Sequence, residues 1–240
     1  SITSQKEISK SPKFRIKLFE AISRILLQKN DFNELEKYLK TTYKSFVNDN
    51  IFNRDNHEQK LMLLTYLINS LYKNNKMNES LTIAEELYKS MKEYDSFLKD
   101  KFLFYYYNAL VINYSKLDPE KAIKVLNKAK KNTAIQTLPI FGTFIYLNMG
   151  LIYYSQKKYK ISAKQFTRLI LQKDFLSLSL QFQLKIAIAE LVIRYHLNQT
   201  DLIEKKIKNI SSDYKKTISQ SRRDGYMLII LNELIYCNNI

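Results

Sequence analysis

His57, His196 and Cys237 are the side chains of this 240-residue chain best suited to nucleophilic, acid–base or metal chemistry. Two imidazoles and a thiol could hold a zinc ion or pair as a Cys–His nucleophile, but a metal site needs its ligands at short fixed spacings. Here the three residues lie in separate segments, and neither histidine opens an HExxH motif or joins a Cys/His cluster. Gly142, Gly150 and Gly225 stand alone, so no glycine-rich loop can cradle a phosphate. No Ser/His/Asp constellation is visible either. The expectation is a chain without catalytic residues, metal or cofactor. His196, just ahead of a turn, reads as a helix-end histidine, and Cys237 as a small core residue of the last helix.

The residues suited to binding are more numerous. There are 18 tyrosines and 13 phenylalanines, concentrated in stretches such as FLFYYYNALVINY at 102–114. The formal net charge is +16 and unevenly placed: residues 1–120 hold 19 Lys and Arg against 16 Asp and Glu, while residues 121–240 hold 20 against 7. From Lys121 to Lys173 there are 11 basic residues and no acidic one. Such a block attracts anionic partners, and a solvated face of a Lys-rich protein has the same composition.

The elements that must position these residues are helical. Gly and Pro occur only three times each, too few for the turns of a strand-rich fold. Hydrophobics reach 45%, enough for a core. One cysteine excludes an intramolecular disulfide framework and points to a reducing, cytoplasmic setting. No apolar run reaches the ~18 residues of a membrane span; the closest, Gly225 to Cys237, is broken by Asn232 and Glu233. The first residues, SITSQKEISKSPKF, lack the apolar core of a signal peptide and an initiator Met, so the chain is expected to be a processed product or a fragment.

Three stretches align without gaps: 65–87, 107–129 and 147–169. Each has an apolar helical run ending in Tyr72, Tyr114 or Tyr154, then a polar turn, then an amphipathic helix with a small residue eight positions on: Ser80, Ala122 or Ser162. Weaker copies at 18–39 and 188–210 place Leu35 and Ile203 in the small-residue slot. The spacing predicts five helix–turn–helix units, with SRRDGYMLIILNELIYC as a closing helix. In the fourth unit Ile161, Phe166, Leu169 and Ile170 are expected on one stripe, opposite Lys160, Lys164 and Arg168. Asp118-Pro119-Glu120 reads as a helix start. No linker interrupts the array, so residues 15–240 are expected to form one domain behind an extension at 1–14.

These units resemble tetratricopeptide repeats. The match is fullest in the fourth, where Tyr146, Met149, Gly150 and Tyr153 follow the first-helix pattern, and Tyr159, Ser162 and Phe166 follow the second. The third departs, with Leu110 for Gly and Asn113 for Tyr, and a period of 40 to 42 exceeds the usual 34. The resemblance implies an all-α, right-handed α-solenoid of about five hairpins plus a C-terminal capping helix. A helix such as 102–114 is then apolar all round because partner and neighbouring helices surround it.

The resemblance also implies a non-enzymatic module, a scaffold or sensor, that takes a protein or peptide along the concave face of its first helices. Aligned on the family, that groove is expected to be lined by Tyr72, Phe104, Tyr107, Tyr114, Phe144, Leu147, Leu151 and Tyr154, with Met62, Thr65, Asn69 and Val111 beside them. The alternative is a nucleic-acid-associated or regulatory role through a convex basic stripe of Lys124, Lys128, Lys164 and Arg168, which share slots in successive second helices. Peptide-responsive transcription regulators resemble this arrangement, and the chain would be their sensor portion. The apolar last helix offers a surface for homo-oligomer formation.

Overall fold

The computed structural model describes residues 11–237, so residues 1–10 of the expected extension lie outside the described residues. Those residues divide into two compact units that meet between Lys128 and Ala129. No strand occurs among the described residues.

The first unit holds α1 (Pro12–Gln28), α2 (Phe32–Asn48), α3 (His57–Lys73), α4 (Met77–Ser90) and α5 (Lys99–Leu117), and α6 (Pro119–Lys130) runs to its end. In the second, a π-helical segment (Thr143–Leu147) leads into α7 (Asn148–Ser155), followed by α8 (Tyr159–Ile170), α9 (Leu180–Tyr195), α10 (Thr200–Asp213) and α11 (Arg222–Cys237). The order is five hairpins and a closing helix, as the spacing predicts. First helices of 17 to 19 residues in the first three hairpins account for the long period.

Packing is to nearest neighbours. In the first unit α3 contacts α2, its own partner α4 and the next first helix α5; in the second, α9 contacts α8, α10 and α11. No hairpin buries its apolar surface alone. Phe19, Leu35, Leu39, Phe46, Leu63 and Leu67 form one core from three helices. Leu184, Leu191, Ile203, Leu228 and Leu231 form another. Each such side chain contributes about 1.5–3 kcal/mol.

The small-residue slot lies on the buried face of each second helix. Ser80, Ala122 and Ser162 are fully buried. Ser80 Oγ donates to the Ile68 carbonyl at 3.0 Å, and Ser162 Oγ donates to the Gly150 carbonyl at 2.7 Å, each twelve residues back on the first helix. Opposing volumes are traded at this crossing. Phe166 stands against Gly150, where an added Cβ would lie 2.6 Å from its ring. The equivalent pair in the third hairpin is Leu110 and Leu126, and in the second Ile68 and Ala84, all buried. The stripe of α8 differs from expectation at one position: Ile161 is exposed, because the neighbouring Ser162 and Ala163 take the buried face beside Phe166 and Leu169.

Helix ends carry local signals. Lys121 N–H is capped by Asp118 Oδ1 at 3.1 Å, with Pro119 first in α6. Asn30, Asn50, Asn75, Lys157 and Asn198 adopt left-handed φ of 49–60°. Each ends a helix in the same double closure: Asn75 N–H bonds to Tyr72 O and Lys76 N–H to Leu71 O, and the other four repeat it. Asn adopts this conformation more readily than lysine, by about 1 kcal/mol. Lys157→Asn is therefore expected to raise the melting temperature by about 2–4 °C in a circular dichroism melt.

A buried carboxylate ties the first two hairpins together. Glu36 accepts from Lys40 Nζ at 2.7 Å, Lys76 Nζ at 2.8 Å and Asn74 Nδ2 at 2.7 Å. Burial alone would raise its pKa; these three donors outweigh that and hold it at about 2 against an ordinary 4.5. A folded pKa below the unfolded one adds stability above pH ~4.5, here up to about 3 kcal/mol, which is lost as pH falls towards 2. Glu36→Gln is expected to flatten the acid limb of the stability curve between those values, read by urea unfolding at successive pH.

Candidate functional site

The first unit is open along its first helices. A cavity of about 400 Å³ lies between Glu20, Arg24, Leu27 and Gln28 of α1 and Met62 and Tyr66 of α3. A second, about 270 Å³, is walled by Leu27, Thr65, Tyr66, Ile68 and Asn69 and by Phe104, Tyr105, Asn108, Ala109 and Ile112 of α5. A third, about 180 Å³, lies between Glu58, Met62, Thr65 and Tyr66 and Lys101, Phe102 and Tyr105. Tyr66 borders all three, so they lie side by side as a grooved surface across α1, α3 and α5.

The groove has a charged rim and an aromatic, amide-bearing floor. At one edge Lys101 Nζ pairs with Glu58 Oε1 at 2.7 Å, joining α5 to α3. At the other Gln59 Nε2 donates to Glu20 Oε1 at 3.4 Å, joining α3 to α1. Tyr66 is half-buried, its ring 6.5 Å from Phe19, and burial pushes its phenol up, so the neutral hydroxyl can donate or accept. Tyr105 is 44% exposed. Thr65 Oγ1 is bonded to its own helix at the Leu61 carbonyl. The side-chain amides of Asn69 and Asn108 have no hydrogen-bond partner among the described residues, and both face the 270 Å³ cavity. A carboxamide can give and accept one hydrogen bond at once, which is what a peptide unit of a bound chain requires.

The three consecutive tyrosines of α5 point three ways, as 100° per residue dictates. Tyr105 enters the groove. Tyr106 stacks on Tyr88 of α4 at 4.7 Å. Tyr107 is buried.

No protein-family profile matches this chain, and no curated protein does. Among solved structures, a Podosopora anserina protein described as a kinesin light chain with nearly identical TPR-like repeats matches with a TM-score of 0.61. Identity is 12%, over 87% of this chain and 98% of that one. The fold is that of TPR-like helical repeats. At such identity the likeness concerns fold alone.

Within this TPR-like fold the groove residues expected from sequence separate. Phe104 lines the 270 Å³ cavity, with Met62, Thr65 and Asn69 on the same floor. Tyr107 and Phe144 are only 5% and 4% exposed, so both are core residues and not ligand contacts. In α5 the open face is one residue further on, at Tyr105, Asn108 and Ile112, because α4 covers the side that carries Tyr106 and Val111 is buried. Phe144 lies in the π-helical segment, where Phe144, Ile145 and Tyr146 are all buried.

The recurring tyrosines sit in the last turn of each TPR-like first helix and line none of these cavities. Tyr72 lies under Lys116 Nζ at 4.9 Å, and Tyr114 under Lys121 Nζ at 5.6 Å. In the second unit Tyr154 Oη is 3.0 Å from His196 Nε2, and the His196 ring stacks on Tyr159 at 4.5 Å. Leu147 is half-buried and Leu151 exposed in that unit.

The basic residues lie where the pattern puts them. Lys124, Lys128, Lys164 and Arg168 are exposed on their second helices. Arg168 Nη1 reaches Gln165 Oε1 at 3.4 Å. His57 is buried between Tyr94 and Phe97, and that burial pushes its pKa down, so it is a neutral core residue. His196 is the C-cap of α9, as expected of a helix-end histidine. Cys237 departs from expectation: it is exposed, on the face of α11 opposite Leu231 and Ile235. No group of three or more His, Cys, Asp or Glu able to hold a metal occurs among the described residues. No helix of the described residues is long and apolar enough to cross a membrane.

Proposed function

We propose that this chain is a non-enzymatic binding module whose first unit takes a segment of a protein partner in the groove across α1, α3 and α5. The observation that carries this is the adjacency of three cavities at Tyr66, with the amides of Asn69 and Asn108, unpaired among the described residues, lining one of them. Tyr66, Tyr105, Phe104 and Met62 supply apolar and aromatic area for side chains, and the two amides supply main-chain recognition. The groove's charges, Glu20, Arg24, Glu58 and Lys101, balance, so the bound segment is apolar with a polar backbone and not strongly charged.

The test is to pan a phage-displayed library of random peptides against the full chain and measure the enriched peptides by fluorescence anisotropy. Peptides that bind the wild type and lose affinity to Tyr105→Ala and to Asn69→Ala/Asn108→Ala support the groove. Peptides that bind all three proteins equally place the site elsewhere.

A second reading rests on Lys124 and Lys128 in the first unit and Lys164 in the second, exposed cations with no carboxylate in ion-pair range among the described residues. If they contact phosphates, affinity for a single-stranded oligonucleotide falls steeply with salt, and Lys124→Glu/Lys128→Glu reduces the slope by about 2. A flat salt response ends this reading.

A further inference from the structure

The turn that joins α8 to α9 in the second unit shows apolar side chains to solvent. Leu171 is 76% and Leu176 81% exposed, more than any other large apolar side chain among the described residues, and Leu180, first in α9, is 59% exposed. A single exposed leucine is ordinary on a surface; three within ten residues make a patch. The turn is built from within. Gln183 is buried, and its Nε2 donates to the Leu178 carbonyl at 2.7 Å and to the Leu176 carbonyl at 3.3 Å. Tyr214 Oη donates in turn to Gln183 Oε1 at 3.2 Å, and Phe175, beside Leu176, is buried. The leucines therefore stand out from a fixed backbone. The outward face of α8 is basic and runs into this turn. Lys160, Ile161, Lys164, Arg168 and Leu171 are all exposed and fall within a sector of about 100°, at 100° per residue. No carboxylate pairs with Lys160, Lys164 or Arg168 among the described residues. The second unit has no acidic residue in its sequence before Asp174.

We propose that this surface docks the second unit on an anionic lipid membrane, with Leu171, Leu176 and Leu180 entering between the headgroups and Lys160, Lys164 and Arg168 lying over them. The chemistry of the patch selects the partner. Nucleic acid would take the cations, but its apolar contacts are flat rings stacked on bases, and it has no place for aliphatic groups standing out from a turn. A protein partner needs a fitted pocket for each leucine, whereas hydrocarbon takes any aliphatic group without a matching shape. Apolar groups beside a Lys/Arg face are the pattern of a segment that lies on a membrane and does not span it. Neither half suffices alone, since stable anchoring takes an apolar and a polybasic signal together. Each cation near an acidic lipid surface contributes about fivefold in affinity, so three give on the order of 100-fold. That gain decays within a Debye length of about 8 Å. The surface is separate from the groove of the first unit and draws no residue from α1, α3 or α5.

The test is flotation of the full chain with vesicles of phosphatidylcholine alone and with roughly one-third phosphatidylserine. Binding is expected only with phosphatidylserine, and it should fall as salt is raised. Leu171→Ser/Leu176→Ser is expected to weaken it by about 10-fold or more. Lys164→Glu/Arg168→Glu is expected to weaken it by about 25-fold or more. Circular dichroism melts should be unchanged in both, since all four side chains are exposed. The chain has no tryptophan, so Leu176→Trp introduces its sole indole. The emission of that indole should shift to the blue on adding the acidic vesicles, while that of Tyr105→Trp, in the groove of the first unit, should not. The proposal is overturned by absence of binding to acidic vesicles, by full binding of the leucine double variant, or by an unshifted Leu176→Trp emission in vesicle-bound protein. Loss in the Lys164/Arg168 variant alone would also overturn it, in favour of a polyanion site such as one for nucleic acid.

Discussion

Gly150→Leu is expected to lower the melting temperature by about 6 °C or more, and Phe166→Leu added to it is expected to return most of the loss. The side chain has no room to enter: even a Cβ at Gly150 would lie 2.6 Å from Phe166 Cε2 and 2.7 Å from Cδ2. Phe166 is fully buried, so its ring has no solvent to move into. Overpacking of this kind costs about 3 kcal/mol. Replacing a mid-helix glycine gains about 1 kcal/mol in helix propensity, so the clash wins. At about 2–4 °C per kcal/mol for a chain of this size, the net loss is well within measurement. Rescue follows because a leucine at both positions reproduces Leu110 and Leu126 of the third hairpin, which are both buried. A double-mutant cycle by circular dichroism reads the coupling. Equal loss with and without Phe166→Leu would mean that the crossing is not governed by this pair.

Tyr105→Ala is expected to weaken a groove-selected peptide by about 30-fold, corresponding to the ~2 kcal/mol of a tyrosine hot spot. Tyr105 is exposed and lines two of the three cavities, so its removal leaves the core intact. Tyr66→Ala should weaken the peptide at least as much. Its ring also packs on the core around Phe19, so its melt must be recorded alongside. Tyr114→Ala and Tyr154→Ala serve as controls. Both tyrosines lie outside the groove, under Lys121 and beside His196, and their loss should leave peptide affinity unchanged. Titration by fluorescence anisotropy separates these outcomes: loss at Tyr114 with retention at Tyr105 would move the site to the helix ends.

The sequence by itself determined the hairpins, their period and their ends. Tyr72, Tyr114 and Tyr154 mark the last turns of first helices, the small residues eight positions later mark the crossings, and Asp118-Pro119 starts a helix. These signals are local: caps, turns and close approaches act within a few residues, so they survive without knowledge of neighbours. The second helices were equally legible, since one polar face fixes the phase of the pattern, and Lys124, Lys128, Lys164 and Arg168 are exposed accordingly.

Only the tertiary structure decided which side of a first helix is open. In α5 apolar groups occupy nearly every side, so hydrophobic periodicity has no phase to read. The choice between Tyr105, Tyr106 and Tyr107 falls to which neighbour covers which side, and Tyr88 of α4 takes Tyr106 while the core takes Tyr107. The π-helical segment that holds Phe144 is likewise invisible in a 3.6-residue pattern. Asn69 and Asn108 become a pair only when α3 and α5 lie side by side. The outward face of α11 and Cys237 follows the same logic: an apolar helix reads as core in sequence, and among the described residues half of it is exposed.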